Sequence, residues 1–262
     1  MSTPSPPFPS PAPPPGITRG ALIVLEGLDR AGKTTQVSLL SSRLTSLSRA
    51  TKTLTFPDRT TPIGGLINSY LTSQTTMSDH AIHLLFSANR WEAAAKITSL
   101  LAAGTTVVCD RYYYSGIVYS AAKRNPGLDL AWARAPEVGL PRPDLVLFLD
   151  LDEEQAKQRG GWGVEVYERG EMQKRVRELF WGLSMGKIGT EAGGEGEVAV
   201  GPPTPERVTG LERRFREEEE DLHVIDASPS VEEVAEEVWR VVKARVEAVE
   251  RGEVGAVVRR VS

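Results

Sequence analysis

Apolar and polar positions along the chain fall into two alternating rhythms. Leu22 to Leu25 is a short continuous apolar run of the buried-strand kind, and Val37, Leu40, Leu44 and Leu47 follow at helical spacing. Lys52 to Phe56 reads as a second strand, stopped by Pro57. A helix can start near Pro62, and a longer one near Ser78, where Asp79 makes the first turn acidic and Ile82, Leu85 and Phe86 share a face. Thr105 to Cys109 reads as a third strand and ends at Asp110-Arg111. Leu145 to Leu149, entered from Pro143 and ended by Asp150, is a fourth, and Leu222 to Ile225, ended by Asp226, is a fifth. Ser230-Val231-Glu232-Glu233 forms a capping box that opens a helix carrying the stripe Val231, Val234, Val238 and Val242. Strands alternating with helices predict an α/β fold with a five-stranded parallel sheet covered by helices on both faces. Ligands in such folds sit beyond the carboxyl ends of the strands. There the sequence places Glu26, Pro57-Asp58-Arg59, Asp110-Arg111, Asp150 and Asp226.

The flanks of this pattern are of a different kind. Residues 1–16 contain eight prolines, so residues 1–18 are expected as an extended Pro-rich tail ahead of a domain spanning 19–250. Residues 186–207, rich in Gly, Glu and Pro, are expected as a flexible insertion, and 251–262 as a C-terminal tail. The charged run from Glu212 to Glu220 reads as a solvated helix face. The chain has 262 residues, 40% hydrophobic and 25% charged, enough for one substantial core. A net charge of −4 argues against nucleic acid as a partner. A single cysteine, Cys109, excludes an internal disulfide. No apolar run approaches the ~18 residues of a membrane span, and the N-terminus lacks a signal-peptide core. The expectation is a soluble cytoplasmic protein, with a nuclear pool also allowed.

The chemistry is concentrated where the first strand meets the first helix. Glu26-Gly27-Leu28-Asp29-Arg30-Ala31-Gly32-Lys33-Thr34-Thr35 contains Gly-x-x-x-x-Gly-Lys-Thr, a phosphate-binding loop. Gly27 and Gly32 allow the tight turn that points successive N–H groups at an anion, and the helix N-terminus adds its dipole. Lys33 would reach the outer phosphates, and the Thr34 hydroxyl would ligate Mg²⁺. The guanine-selecting Asn-Lys-x-Asp motif is absent. Arg59, Arg90 and Arg111 each follow an apolar segment where it meets the proposed cleft, and suit a phosphorylated acceptor. A nucleoside monophosphate offers an anionic oxygen and needs no general base, whereas a nucleoside hydroxyl would need one, with Glu26 and Asp110 as candidates. His80 and His83 share a helical face but have no third partner in the sequence, and read as structural.

Several stretches together resemble the thymidylate kinase family in its eukaryotic form. They are Leu25 to Thr35, Phe56-Pro57-Asp58-Arg59, Leu84 to Glu92, Asp110-Arg111-Tyr112 with Ser115-Gly116, and Gly139 to Asp144. The resemblance covers roughly residues 19–185 and resumes at 222–240. It implies a P-loop nucleoside monophosphate kinase with a small lid, a homodimer, and ATP-dependent phosphorylation of dTMP to dTDP with Mg²⁺. By resemblance, Phe86 stacks on thymine and Arg90 bonds its edge, in a dTMP site that includes Phe56, Pro57, Ser115 and Gly116. Arg59 and Arg111 would hold the acceptor phosphate, and Asp29 would take the sugar 3′-hydroxyl. Tyr119 and Tyr167 would crowd the 2′ position, and Asp110 would support Mg²⁺ through water. Residues 159–170 look like the lid over ATP, with Arg159 near adenine and with Gly27 to Thr35 around the phosphates. Val166 and Pro229 stand where the family pattern has arginine and lysine. Lys33, Arg30, Arg111 and Asp110 are the candidate catalytic groups. A deoxynucleoside kinase and a non-catalytic nucleotide-binding module are the alternatives.

Overall fold

A computed structural model describes residues 13, 18–158, 166–167, 170–184 and 221–262 of the chain. Five strands, β1 (Leu22–Gly27), β2 (Thr51–Thr55), β3 (Thr106–Asp110), β4 (Leu145–Asp150) and β5 (Leu222–Asp226), form one parallel sheet in the order β2-β3-β1-β4-β5. Helices connect them: α1 (Lys33–Ser46), α2 (Pro62–Leu71), α3 (Asp79–Ala102), α4 (Tyr113–Ala121), α5 (Leu130–Arg134) with the 3-10 turn Ala135–Glu137, α6 (Glu153–Gln158), α7 (Gly170–Ser184) and α8 (Val231–Glu250). The expected strands are all present, and three of them run on to include the acidic residue predicted to stop them.

Alternation along the strands divides the core. Leu22, Val24, Val107, Cys109, Val146 and Phe148 face one side, with Ala94, Ile97 and Leu101 of α3, Ile117 and Val118 of α4, and Val176 and Phe180 of α7. Ile23, Leu25, Leu147 and Leu149 face the other, with Val37, Leu40 and Leu44 of α1 and Val234, Val238, Val242 and Val246 of α8. The central strand β1 is buried along its whole length, so it shows no polar alternation. Burying each such side chain is worth about 1.5–3 kcal/mol. The helix starts follow local chemistry: Thr61 accepts from the Gly64 N–H at 3.0 Å with Pro62 in the first turn, and Ser230 and Glu233 form the expected reciprocal box.

The last residues correct an expectation. The sequence predicts a tail over residues 251–262, yet Val258 and Val261 are buried and the backbone pairs with the segment before β4. Gly139 N–H donates to the Val261 carbonyl at 2.8 Å, Val261 N–H to Leu140 at 2.9 Å, and Arg142 N–H to Arg259 at 2.8 Å. Val254, Val257, Val258 and Val261 fall at helical spacing behind Gly252 and Gly255, a pattern that does not announce extended pairing, and backbone pairing with a distant partner leaves no local trace. The start of the domain is fixed by a buried ion pair, Arg19 to Asp144 at 2.7 and 2.8 Å. Most of the Pro-rich tail, most of the lid with Arg159, the insertion 186–207 and the run 212–220 lie outside the described residues.

Candidate active site

The loop between β1 and α1 is shaped by its glycines. A Cβ on Gly27 would stand 2.7 Å from the Leu149 carbonyl oxygen, so only glycine lets β1 turn so close to β4. Gly32 has φ 91°, a left-handed conformation that costs an L side chain energy, and α1 begins directly after it. Arg30 adopts φ 68° within the same loop. Lys33 is buried and its Nζ donates to the Leu28 carbonyl, back across the loop. Burial, and then the positive charge of Arg111, pull its amine down to about 8 against the opposing carboxylates Asp29, Asp110 and Glu26. Thr34 Oγ1 donates to Asp110 Oδ2 at 2.6 Å, which joins the loop to the end of β3.

Two cavities flank this loop. One, about 300 Å³, is lined by Asp29, Phe56, Pro57, Arg59, Phe86, Arg111, Ser115, Gly116, Tyr119 and Tyr167, among others. The other, about 410 Å³, is lined by residues 30–36 with Ala227, Val231 and Val234, at the start of α8. They share Arg30, Lys33 and Thr34.

Within the first cavity, Arg111 is the central cation. Its Nη1 donates to the Gly27 carbonyl at 2.9 Å and to Ser115 Oγ at 3.1 Å, and its Nη2 to Asp29 Oδ1. The guanidinium lies 5.4 Å from the Tyr119 ring centre. Asp29 also accepts from Gln173 Nε2 of α7 at 2.8 Å and meets the Tyr119 hydroxyl at 3.5 Å. Burial pushes the Asp29 carboxyl up, but Arg111, Lys33 and these hydrogen bonds outweigh it and hold the group below the ordinary carboxylate range. Gln173 Nε2 also donates to the Tyr167 carbonyl at 2.8 Å, and Val166 N–H donates to the Leu71 carbonyl at 3.2 Å. The described part of the proposed lid is thus tied to α2 and α7, and the Tyr167 ring comes 5.5 Å from Tyr119.

Most of the described acceptor-site residues read from the sequence line one cavity, but several placements differ. Arg90 does not line the cavity. It is buried against Glu137, with Nε to Oε2 at 2.8 Å and Nη2 to Oε1, one layer behind Gly116. Asp150 is taken by Arg177 at 2.6 and 2.8 Å, and Asp226 turns to the Ser228 N–H at 2.9 Å, so neither joins the cleft. Asp58 accepts from Thr60 and shapes the turn before α2. Glu26, a candidate base, is fully buried beneath the loop. Its Oε1 accepts from the Tyr112 and Ser115 N–H groups at 2.9 and 3.1 Å, and its Oε2 from Ser115 Oγ. It therefore braces the turn into α4 rather than meeting a substrate. His80 Nε2 pairs with the Gly127 carbonyl at 2.7 Å and His83 Nδ1 with Ser120 Oγ at 2.7 Å, both rings against Trp132.

Two further residues escaped the sequence. Asn89 Oδ1 accepts from the Asp58 N–H at 2.7 Å and its Nδ2 donates to the Asp58 carbonyl at 3.2 Å, holding the Phe56 to Arg59 turn against α3. Gln173 is the other. Met172, Val176, Phe180 and Leu183 on α7 carry a helical spacing that would have located its helix, though not its partners.

A phosphate loop at the carboxyl edge of a five-stranded parallel sheet, with separate pockets on its two sides, defines a P-loop α/β protein. Residues 25–187 match the family model described as Thymidylate kinase. The chain belongs to the thymidylate kinase family. It is 52% identical over 162 residues to a thymidylate kinase of Arabidopsis thaliana, an alignment covering 62% of this chain and 60% of that protein. With the thymidylate kinase of Schizosaccharomyces pombe it shares 42% identity over 220 residues, covering 84% and 90%. A solved thymidylate kinase from Candida albicans superposes with a TM-score of 0.67 at 36% identity, covering 87% of this chain and 92% of that one.

Proposed function

We propose that the chain transfers the γ-phosphoryl group of ATP to dTMP, giving dTDP and ADP. The observation that carries this reading is the meeting of the two cavities at Arg30, Lys33 and Thr34, which supports one pocket for each nucleotide with the transferred group between them. On this reading the donor lies along residues 27–35 toward α8, with Arg159 near adenine. The acceptor enters between Phe86 and the turn at Phe56 and Pro57, its phosphate held by Arg59 and Arg111. Asp29 accepts the 3′-hydroxyl, because a carboxylate already bound by Arg111 and Gln173 retains lone pairs for another donor. Tyr119 and Tyr167 close on the 2′ carbon, and Arg90 reads a base carbonyl through the gap at Gly116. The acceptor oxygen is anionic near neutrality, so the residues work by positioning and charge neutralisation. Lys33 and Arg30 address the phosphoryl oxygens.

Thr34 Oγ1 and the Asp110 carboxylate are hard oxygen donors 2.6 Å apart beside the loop, a set that suits Mg²⁺, which takes one or two protein ligands and completes its shell with phosphate and water. The bound ion would supply positive charge to the donor phosphates. Among the described residues no three His, Cys, Asp or Glu side chains converge as a metal site. Exposed Leu66 on α2 and Leu84 on α3, two helices that pack together, support a homodimer through this region. No helix among the described residues is long and apolar enough to cross a membrane, and the compartment we propose is the cytoplasm, with a nuclear pool.

ADP release measured with dTMP, dUMP, dCMP, UMP and thymidine tests this reading. Highest kcat/KM on dTMP supports it. Turnover on thymidine but not dTMP would indicate a deoxynucleoside kinase, and none on any acceptor a binding module.

A further inference from the structure

Behind the acceptor cleft lies an ion pair that phosphoryl transfer itself does not require. Arg90 is 2% exposed and Glu137 0%. Two charges removed from water cost more than their attraction reliably returns, so apolar residues would join α3 to this turn at least as well. That junction is already tied on both sides of Arg90. Ser87 Oγ and Trp91 Nε1 both donate to the Pro136 carbonyl, at 3.1 and 2.7 Å. What the pair adds is direction. With Nε and Nη2 engaged by the two carboxylate oxygens, the guanidinium plane is fixed. It lies where a Cβ on Gly116 would come within 2.5 Å of Nη2 and 3.0 Å of Nη1. Gly116 lines the cleft, and so does Phe86, one helical turn before Arg90. The guanidinium therefore stands behind a wall position that carries no side chain. Glu137 is itself held from both sides: Gly139 and Leu140 pair with Val261, and Arg134 Nη1 donates to the Ser262 carbonyl.

We propose that Glu137 is a positioning residue that sets acceptor-base selectivity, by aiming Arg90 through the gap at Gly116. The inference rests on the thymidylate kinase reading above. A guanidinium offers donors and no acceptor. Aimed at the ring, it accepts a pyrimidine with a carbonyl at C4 and opposes one with an amino group there, where donor meets donor. Sites that hydrogen-bond a specific substrate group reject analogues lacking it, because the buried protein group is left unpaired. The segment 258–262, by pinning the turn that carries Glu137, becomes part of the same device.

Glu137→Gln and Glu137→Asp test the proposal, with steady-state kinetics on dTMP and dCMP at saturating ATP. In Glu137→Gln the dTMP KM should rise about tenfold or more, and the dTMP-over-dCMP preference in kcat/KM should fall by a comparable factor. The ATP KM should stay within about twofold and kcat within about threefold. Glu137→Asp, which keeps the charge on a shorter arm, should recover part of the preference. Loss of stability alone lowers the active fraction, which cancels from the dTMP to dCMP ratio. An unchanged preference in Glu137→Gln overturns the proposal while leaving dTMP turnover by the unaltered chain, and hence the function, intact. Failure of the unaltered chain to phosphorylate dTMP overturns both. Should Glu137→Gln not fold, Glu137→Asp decides, and a preference equal to that of the unaltered chain overturns the proposal.

Discussion

Arg30→Gly separates catalysis from folding because of the backbone at that position. Arg30 holds φ 68°, which costs an L residue about 1–2 kcal/mol, and glycine relieves this. The greater freedom of glycine in the unfolded chain offsets part of the gain, about 0.5–1 kcal/mol. Stability should therefore change by no more than about 1.5 kcal/mol, a Tm shift of at most about 3–6 °C. The rate should respond very differently. Arg30 lines both cavities at the point where they meet, beside Lys33 and Thr34, so on the proposed function the loop itself holds a cation beside the transferred group. Removing a preorganised charge of this kind costs about 3–4 kcal/mol, or 10²–10³ in kcat. ATP and dTMP affinities should change little, because the interaction strengthens chiefly in the transition state. The assay is single-turnover transfer at saturating Mg-ATP and dTMP, with a thermal melt alongside. A folded variant within about threefold of the original rate would refute the assignment and move the charge to Lys33, Arg111 or Arg159.

Phe86→Ala should raise the dTMP KM about tenfold or more with little change in the ATP KM, since a lost base stack is worth about 1–3 kcal/mol; equal effects on both would make Phe86 a packing residue. Gln173→Ala removes a charge-assisted bond to Asp29 and the tie to the Tyr167 carbonyl, so dTMP kcat/KM should fall about tenfold or more and the preference for dUMP over UMP should narrow, as measured by paired kinetics. ATP affinity should decline as pH rises through about 8, because the free Lys33 amine loses its proton there while the phosphates favour the charged form. Binding at pH 8.5 should therefore take up a proton. Calorimetry in two buffers of different ionisation heat detects this, and zero uptake would contradict it.

What the sequence disclosed was what lies close together along it. The β1 strand, the glycines of the loop and the stripe Val37, Leu40 and Leu44 are neighbours in the chain, and their chemistry is local. Helix α4 left no periodic signal because Tyr113 to Ser120 are buried on every side. Glu137, Asn89 and Gln173 looked like ordinary polar residues, since their partners lie 47, 31 and 144 positions away. The same distance hid the role of Val261, whose pairing with Gly139 and Leu140 is made by backbone alone. The sequence places Arg90 where an apolar segment meets the cleft, but its depth behind Gly116 depends on a carboxylate that no motif brings near it.

Every role proposed above depends on movement of a phosphoryl group between two nucleotides across the loop at Lys33. That movement is followed by incubating the chain with dTMP and Mg-ATP labelled in the γ-phosphate and resolving the products by chromatography. Label should appear in dTDP, in step with ADP, with little released as inorganic phosphate. Label that stays in ATP, or that passes to inorganic phosphate whether or not dTMP is present, would contradict it.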